Sequence, residues 1–466
     1  MEKINHTPNF EGIFPDERLD KRAQQLSALL FNSNNSSVKG ATTNEAEQKS
    51  FYRFLDNERT SEEHLISEVT GRCSQNVKGR HVLCIQDTSN IGLSNHRNRL
   101  SKKSGVGLVG NKIGLGFLLH ASLVIDAERE TMLGFSDIQL WHRTEDKSNN
   151  ITKKYKQQPI EEKESYKWIK ACERSKEVLE SAKMITIIED REGDIYDQFC
   201  LIPNEHTHLL IRSRDNRKLA DGSRLHESIS KEKVAGSYQL NIVADIRKAQ
   251  KHRVANIEVR FKKIIITKPN KKNVANLPKT KELYLIEAKE VGGPKNKSIL
   301  WRLLTTHETG SFEQALEIIN MYKQRWYIEQ LFRLLKKQGF QIEDSQLGTG
   351  WAIRKLTVFL LNNLLRVMQL MLAHDNEQSQ PIEQVFDKQE IECLKGIEKK
   401  LEQKNTQVKN NNSIKKLSWA SWIIARLGGW KGALKQRPPG PITMKLGVEK
   451  FDLIFRGWKL AKELIT

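Results

Sequence analysis

The sequence predicts an α/β protein: a mixed-sheet core carrying a β-rich insertion, with helical N- and C-terminal regions. Three observations predict it. Between about residues 80 and 212, short apolar runs alternate with amphipathic segments, as expected of a sheet with helices packed on it. From 212 to 300 the text changes to β-branched runs separated by lysine-rich loops. Before 75 and after 301 it is helical. At 466 residues the chain is too long for one core, so two or three domains are expected. The composition shifts divide it into a helical region 1–75, a core 76–375 with its insertion at about 216–300, and a helical region 376–466.

Charge narrows the partners. The formal net charge is +20 and the pI about 9.5. Such a charge opposes compaction, and its common use is to meet a polyanion, which DNA, RNA or an anionic membrane surface would supply. Residues 212–300 hold 22 Lys and Arg against 9 Asp and Glu, so that the insertion is expected to present a basic face suited to phosphate. A solvated charged surface would read the same way. Cys73, Cys84, Cys172, Cys200 and Cys393 are scattered and form no C-x-x-C pair, which argues against a disulfide framework or a structural zinc. The opening MEKINHTPNF lacks an apolar signal region, and a cytoplasmic location is expected.

Each element follows in order. DERLDKRAQQLSALLF and NEAEQKSFYRFLDN are short helices with basic faces joined by the loop NSNNSS. They suit a small DNA-reading head, and equally a helical cap on the next domain. RHVLCIQDTSN is a strand whose apolar run ends at Asp87. KIGLGFLLHASLVID and ETMLGFSDIQLWHR are two more, turning at Ala127, Glu128 and Arg129. ESYKWIKACERSKEVLESA is a helix and MITIIED a strand ending at Asp190. DIYDQFCL is a helix with Asp194 as its N-cap, and HLLIRSR a strand. VANIEVRFKKIIIT and ELYLIEAKEV are strands of the insertion. WRLLTT, from Trp301, leads into SFEQALEIINMYKQRWYIEQLFRLLKKQ, predicted as one long amphipathic helix. The run LTVFLLNNLLRVMQLMLA is broken by Asn362, Asn363 and Arg366, which suits a buried bundle helix better than a membrane span. Asn376 to Asn412 carries no clear motif, and IKKLSWASWIIARLGGWKG and FDLIFRGWKLAKELI close the chain as helices.

Asp87 and Asp190 each end an apolar run, where a rigid sheet can aim two carboxylates at one point. Bridging carboxylates held this stiffly are what a pair of divalent metals needs, and Mg²⁺ suits oxygen ligands. An Asp at a strand end also serves as a turn former or helix cap, and Glu192 and Asp194 are competing acids nearby. Tyr322, Arg325, Glu329 and Lys336 stand at helical offsets that project within a sector of about 60°. An acid flanked by a phenol and two cations suits a metal ligand whose neighbours grip phosphate. A solvated stripe with an Arg325–Glu329 pair is the plainer alternative. Trp301 could stack on an unpaired base or fill the core, and His120 is most simply a histidine satisfied within its strand.

Together these residues resemble a known family. IQDTS around Asp87, EDREGDIYD around Asp190 and YKQRWYIEQLFRLLK are similar to the three catalytic motifs of bacterial insertion-sequence transposases. The group is the cut-and-paste DDE group marked by a Tyr-x2-Arg-x3-Glu-x6-Lys motif. PIEEKESYKW from Pro159, LLIRSR around Arg212, WRLLTT and ARLGGWKG also resemble it, so the resemblance runs nearly the whole length.

The resemblance implies a ribonuclease-H-like catalytic core with a β-strand insertion before the Glu-bearing helix. It implies an N-terminal domain that recognises terminal repeats in double-stranded DNA, and a C-terminal region used to form a homodimer. Asp87, Asp190 and Glu329 would be the catalytic metal ligands for two Mg²⁺ ions, with Mn²⁺ substituting. Tyr322, Arg325, Lys336 and Arg212 would hold the DNA backbone, and Trp301 would stack on a flipped base. The implied reaction is cutting at the element's ends through a hairpin, then joining to target DNA. Cytoplasmic, nucleoid-associated action and no membrane partner are expected. A same-fold nuclease without strand transfer, a DNA-binding regulator of transposition and a basic RNA-binding protein are the rival readings. The three acids count against the last two.

Overall fold

The computed structural model describes residues 4–33, 36–101, 104–110, 114–143, 158–242, 252–269, 277–294, 298–336, 339–377, 379–404, 408–432 and 437–465. Its centre is a ten-stranded mixed sheet. The strands are β1 (His81–Gly92), β2 (Gly107–Val109), β3 (Gly114–Asp126), β4 (Met132–Trp141), β5 (Met184–Glu189), β6 (Thr207–Arg212), β7 (Gly236–Ile242), β8 (Arg253–Thr267), β9 (Thr280–Val291) and β10 (Leu300–Thr305). Their order is β2-β3-β1-β5-β6-β10-β9-β8-β7, with β4 beside β3. β1, β5 and β6 are mutually parallel, β3 runs antiparallel beside β1, and β4 runs antiparallel to β3.

Helices cover both faces, because alternate residues of a central strand point to opposite sides and both sets here are apolar. Leu83, Ile85, Ile188 and Leu210 face one core. It is shared by α1 (Glu17–Ser33), α3 (Glu45–Asp56), α4 (Glu62–Asn76) and helices of the C-terminal half. Val82, Cys84, Ile185, Ile187, Leu209 and Ile211 face the other, against α5 (Tyr166–Val178), α6 (Tyr196–Leu201) and α7 (Leu225–Ser230). A four-residue helix, α2 (Val38–Ala41), stands between α1 and α3.

After β10 the predicted single long helix is two: α8 (Phe312–Lys323) and α9 (Trp326–Leu335). The junction is a tightened turn. Gln324 N–H bonds Met321 O at 3.1 Å, Arg325 N–H bonds Tyr322 O at 3.1 Å, and Tyr327 N–H bonds Gln324 O at 2.9 Å, all one residue shorter than the α-helical spacing. Lys336 is the C-terminal cap of α9: its N–H still bonds Phe332 O at 3.1 Å, and its backbone angles (φ −83°, ψ −139°) end the helix there.

The apolar run becomes α10 (Gly350–Ala373), the hub on which α1, α3, α4, β4 and α9 pack. It is long and apolar enough to cross a membrane, but the rest of the chain buries it. Its polar residues have partners. Asn362 Oδ1 accepts from Arg72 at 2.6 Å, Asn363 donates to Leu30 O at 2.8 Å, and Arg366 pairs with Glu390 at 3.1 Å. Phe10 and Phe54 pack their rings on Phe359, so the N-terminal helices share the core rather than close one of their own.

Helix α11 (Lys388–Lys404) occupies the stretch read as motif-free, and α12 (Leu417–Leu427) and α13 (Pro441–Ile465) follow. α11 was illegible because its exposed side is almost all Lys, Glu and Gln, leaving only Cys393, Leu394 and Ile397 to mark a buried stripe.

The insertion joins the main sheet edge to edge: β9 pairs with β10 and β8 with β9. Its strands are less basic than their composition suggests. Arg253 pairs with Glu290 at 2.8 Å, Arg260 with Glu258 at 3.0 Å, Lys262 with Glu232 at 2.8 Å and Lys263 with Glu282 at 2.8 Å. On the strands, then, part of the basic charge expected of the insertion is paired with neighbouring acids.

Candidate active site

β1 and β5 are parallel in a register that pairs Ile85 with Ile188. Two residues further along each chain stand Asp87 and Asp190, on the same face of the sheet as those isoleucines. Asp87 is not at its strand's end as expected. β1 runs on to Gly92 because β3 continues to pair with it, and Asp87 lies opposite Ala121. The parallel pairing with β5 does stop at Ile85, so Asp87 still emerges at the edge where that neighbour ends.

The local chemistry differs between the two acids. Asp87 accepts the Thr88 N–H at 2.8 Å and faces Arg325 Nη1 at 3.4 Å. Its carboxyl is raised to about 6, chiefly by burial, with Arg325 pulling it down and the nearby charges of Asp190 and Glu329 adding to the rise. Asp190 accepts the Glu192 N–H at 2.8 Å and caps a 3-10 turn at Arg191–Gly193. Glu329, in the first turn of α9, is bound by Arg325 Nη2 and keeps 46% of its side chain exposed. Arg325 therefore bridges two carboxylates from different elements.

Around the bridge stand the other expected residues. Tyr322 is buried with its ring edge-on to Trp301 at 5.5 Å. Burial raises its phenol, against the lowering pull of Arg325 and Arg212. Arg212, at the end of β6, donates to Leu300 O at 3.1 Å, and burial lowers its guanidinium while Tyr322 raises it. The fold thus gathers Asp87, Asp190, Glu329, Tyr322, Arg325, Arg212 and Trp301. Lys336 sits at the far end of α9, about 10 Å along the axis from Glu329 at 1.5 Å per residue.

Asp194 was expected to cap α6 and does not. Ile195 takes the cap position, and Asp194 is buried against Arg217, with Arg217 Nη2 at 2.6 Å. It also accepts the Arg214 N–H at 2.8 Å. The pair ties the Asp190 turn to the loop after β6. Three further supports were not singled out in the sequence. Glu189 is fully buried and held by Gln198 at 2.6 Å. A Cβ on Gly193 would strike that carboxylate, so glycine is needed at that close approach. Trp326 is 43% exposed beside Arg325. Its place next to the Arg of the helix motif was the available signal. His120, fully buried and lowered to about 3 by burial, meets Thr88 Oγ1 at 2.8 Å, so it steadies the residue after Asp87 as a neutral ring.

Hard oxygen donors at the ends of rigid strands suit a cation such as Mg²⁺. As the side chains stand, Arg325 fills the cationic place, and among the described residues no three His, Cys, Asp or Glu side chains converge closely enough to hold a metal ion.

Comparison with known proteins adds a DNA-binding class. Residues 9–60, covering α1, α2, α3 and the approach to α4, match the transposase DNA-binding family. Among solved structures, the chain is similar to the piggyBac transposase synaptic complex with hairpin DNA, at 11% identity and a TM-score of 0.33 over 77% of this chain and 71% of that one. A likeness at that level carries no argument about fold or activity.

Proposed function

We propose that this chain is a DNA transposase of the insertion-sequence DDE group, with Asp87, Asp190 and Glu329 as its catalytic carboxylates. The observation that carries this reading is their gathering around Arg325 in a chain whose residues 9–60 match a transposase DNA-binding family. A ribonuclease-H-like core is favoured by the strand order β4-β3-β1-β5-β6, with three parallel strands and an antiparallel hairpin at one side.

In this reading the three carboxylates would hold Mg²⁺, which supplies Lewis-acid stabilisation of charge developing at phosphorus. The remaining work falls to the chain. Arg325 and Arg212 bind phosphate oxygens, and the Tyr322 hydroxyl orients them. Trp301, supported edge-on by Tyr322, and the exposed Trp326 offer rings for an unstacked base. A water oxygen attacks phosphorus at one element end and displaces the 3′ oxygen, which leaves as a hydroxyl. That hydroxyl attacks phosphorus in the opposite strand and displaces the 3′ oxygen of the flanking DNA, giving a hairpin. Water attacks the hairpin phosphorus and displaces the element's 3′ oxygen again. The freed 3′ hydroxyl attacks phosphorus in target DNA and displaces a target 3′ oxygen. Each step is an in-line displacement that one acidic cluster can serve. A second copy is favoured by the exposed Leu446, Leu453, Leu460 and Leu464 along α13, whose spacing is that of an unpartnered helix stripe.

The test is a Mg²⁺-dependent cleavage assay on DNA carrying the element's own ends, with wild type and Glu329→Ala. Hairpin-ended double-strand cuts that vanish in the variant are expected. Nicks without hairpins would favour a nuclease. Tight specific binding without cutting would favour a regulator.

A further inference from the structure

Arg325 stands in a position that two tasks contest. Its guanidinium donates to Asp87 Oδ2 at 3.4 Å and to Glu329 Oε1, with the Tyr322 hydroxyl beside it. Elsewhere in the chain, two buried arginines are also locked by backbone carbonyls. Arg354 donates to Leu140 O at 2.6 Å, and Arg72 to His6 O at 3.0 Å. Arg325 has no such lock described. Its backbone is fixed at the tightened α8–α9 junction, and its head reaches into an opening where Glu329 remains 46% exposed. Its ionic contacts are with acids that a divalent cation would also claim.

On the reading of the site given above, we infer that Arg325 is the resident counter-ion of the acid cluster, displaced by the divalent cation and taken up by DNA phosphate. A guanidinium cannot discharge by losing a proton, so the exchange requires it to move. While Arg325 occupies the acids, any metal must displace it, and the apparent metal affinity is lowered accordingly. A phosphate that draws Arg325 away removes that competition. By linkage, metal then strengthens DNA binding by the same factor. The consequence is a site that loads metal weakly in free protein and tightly on DNA, which confines cutting to the DNA-bound enzyme. Arg325 thereby acts as a positioning residue for the metal as well as a phosphate contact.

The test uses the full chain. Mn²⁺ is titrated calorimetrically, without DNA, into wild type, Arg325→Gln, Arg325→Lys and Asp190→Asn. Arg325→Gln is expected to bind Mn²⁺ about tenfold more tightly, equivalent to about 1.4 kcal/mol. Arg325→Lys, which keeps the charge but reaches one carboxylate at a time, gains less in the same direction. In thermal unfolding, Arg325→Gln loses stability without metal and recovers it on adding Mn²⁺. With Ca²⁺ and duplex DNA, mutual strengthening is present in wild type and absent in Arg325→Gln. Unchanged or weaker Mn²⁺ binding in both arginine variants, with binding abolished by Asp190→Asn, would overturn the counter-ion role and leave the metal site standing. No Mn²⁺ binding by any protein would sink the exchange and the metal-dependent reading together.

Discussion

Two charged regions of this molecule use the same residue types to opposite ends. Where α10 meets the N-terminal helices, Arg354 pairs with Glu62 at 2.6 Å and Arg72 with Glu68 at 2.9 Å, all four side chains under 10% exposed. Each arginine also donates to a backbone carbonyl and the seam is shut off from solvent, although Glu62 Oε1 and Arg354 Nε have no hydrogen-bond partner among the described residues. At the junction of β1, β5 and α9, one guanidinium serves two carboxylates, a third acid stands beside them, and Glu329 faces solvent. The seam is buried on all four side chains; the cluster has an acid open to solvent and acceptor capacity that something from outside can reach. What separates a structural ion pair from a site is that open side.

The comparison breaks most sharply on removal of one acid from each region. Asp190→Asn is expected to reduce Mg²⁺-dependent cleavage by about 10³-fold or more, because groups that act as one unit fail together. Its melting temperature should stay within about 2 °C of wild type, since a partly buried acid with a single described backbone contact contributes little to folding. Cleavage rates and a thermal melt on the same preparation decide it. Loss of both would mean that the cluster is structural like the seam.

Arg354→Ala is the converse. It strands the buried Glu62, whose carboxyl burial already pushes up against the pull of Arg354. Removing one partner of a buried pair costs about 3–5 kcal/mol. Urea unfolding should show that loss, with the cleavage rate per folded molecule little changed. A loss under about 1 kcal/mol would place this pair with the weak surface bridges instead.

How far the sequence reveals these two regions follows from the range of the forces involved. Asp87, Asp190 and Glu329 could be singled out because each sits in a short motif with local periodicity, and the strands flanking the first two are unbroken apolar runs. The apolar run of α10 likewise marks a buried helix by itself. Glu68 and Arg72 are neighbours on one helix, but the contacts that carry the seam across the fold could not be read. Arg72 meets Asn362 across 290 residues and Arg354 meets Glu62 across 292, and no local pattern records such a pairing. The break at Arg325 was missed for a related reason. WYIEQLFRLL and FEQALEIINMYK are both good helix text, and the tightened turn between them appears only when Tyr322 is buried against Trp301 while Glu329 faces the sheet edge. Asp194 reads as a helix cap until the chain brings Arg217 to it.

The smallest expected effect sharpens the comparison from within the C-terminal helices, where a third charged group is neither closed nor open. Asp452 on α13 is buried, with Oδ1 3.7 Å from Arg366 and Oδ2 without a hydrogen-bond partner among the described residues. Arg366 is shared with Glu390 at 3.1 Å and lies over the rings of Phe31 and Phe386. Burial pushes the Asp452 carboxyl up to about 7, Arg366 pulls it down, and Glu390 pushes it up. The folded state therefore keeps a proton that the unfolded chain, at about 3.9, has already lost. The contribution to stability is complete below about pH 4 and disappears as pH rises through about 7. Asp452→Asn removes the titration, so its stability relative to wild type should climb between pH 5 and pH 8 by about 1–3 kcal/mol. Parallel urea-denaturation profiles across that range would show Asp452 to be charged and paired in the fold, and would move it into the class of the closed seam. A rising difference would make the docking of α13, which carries the exposed leucines, looser in alkaline solution than in acid.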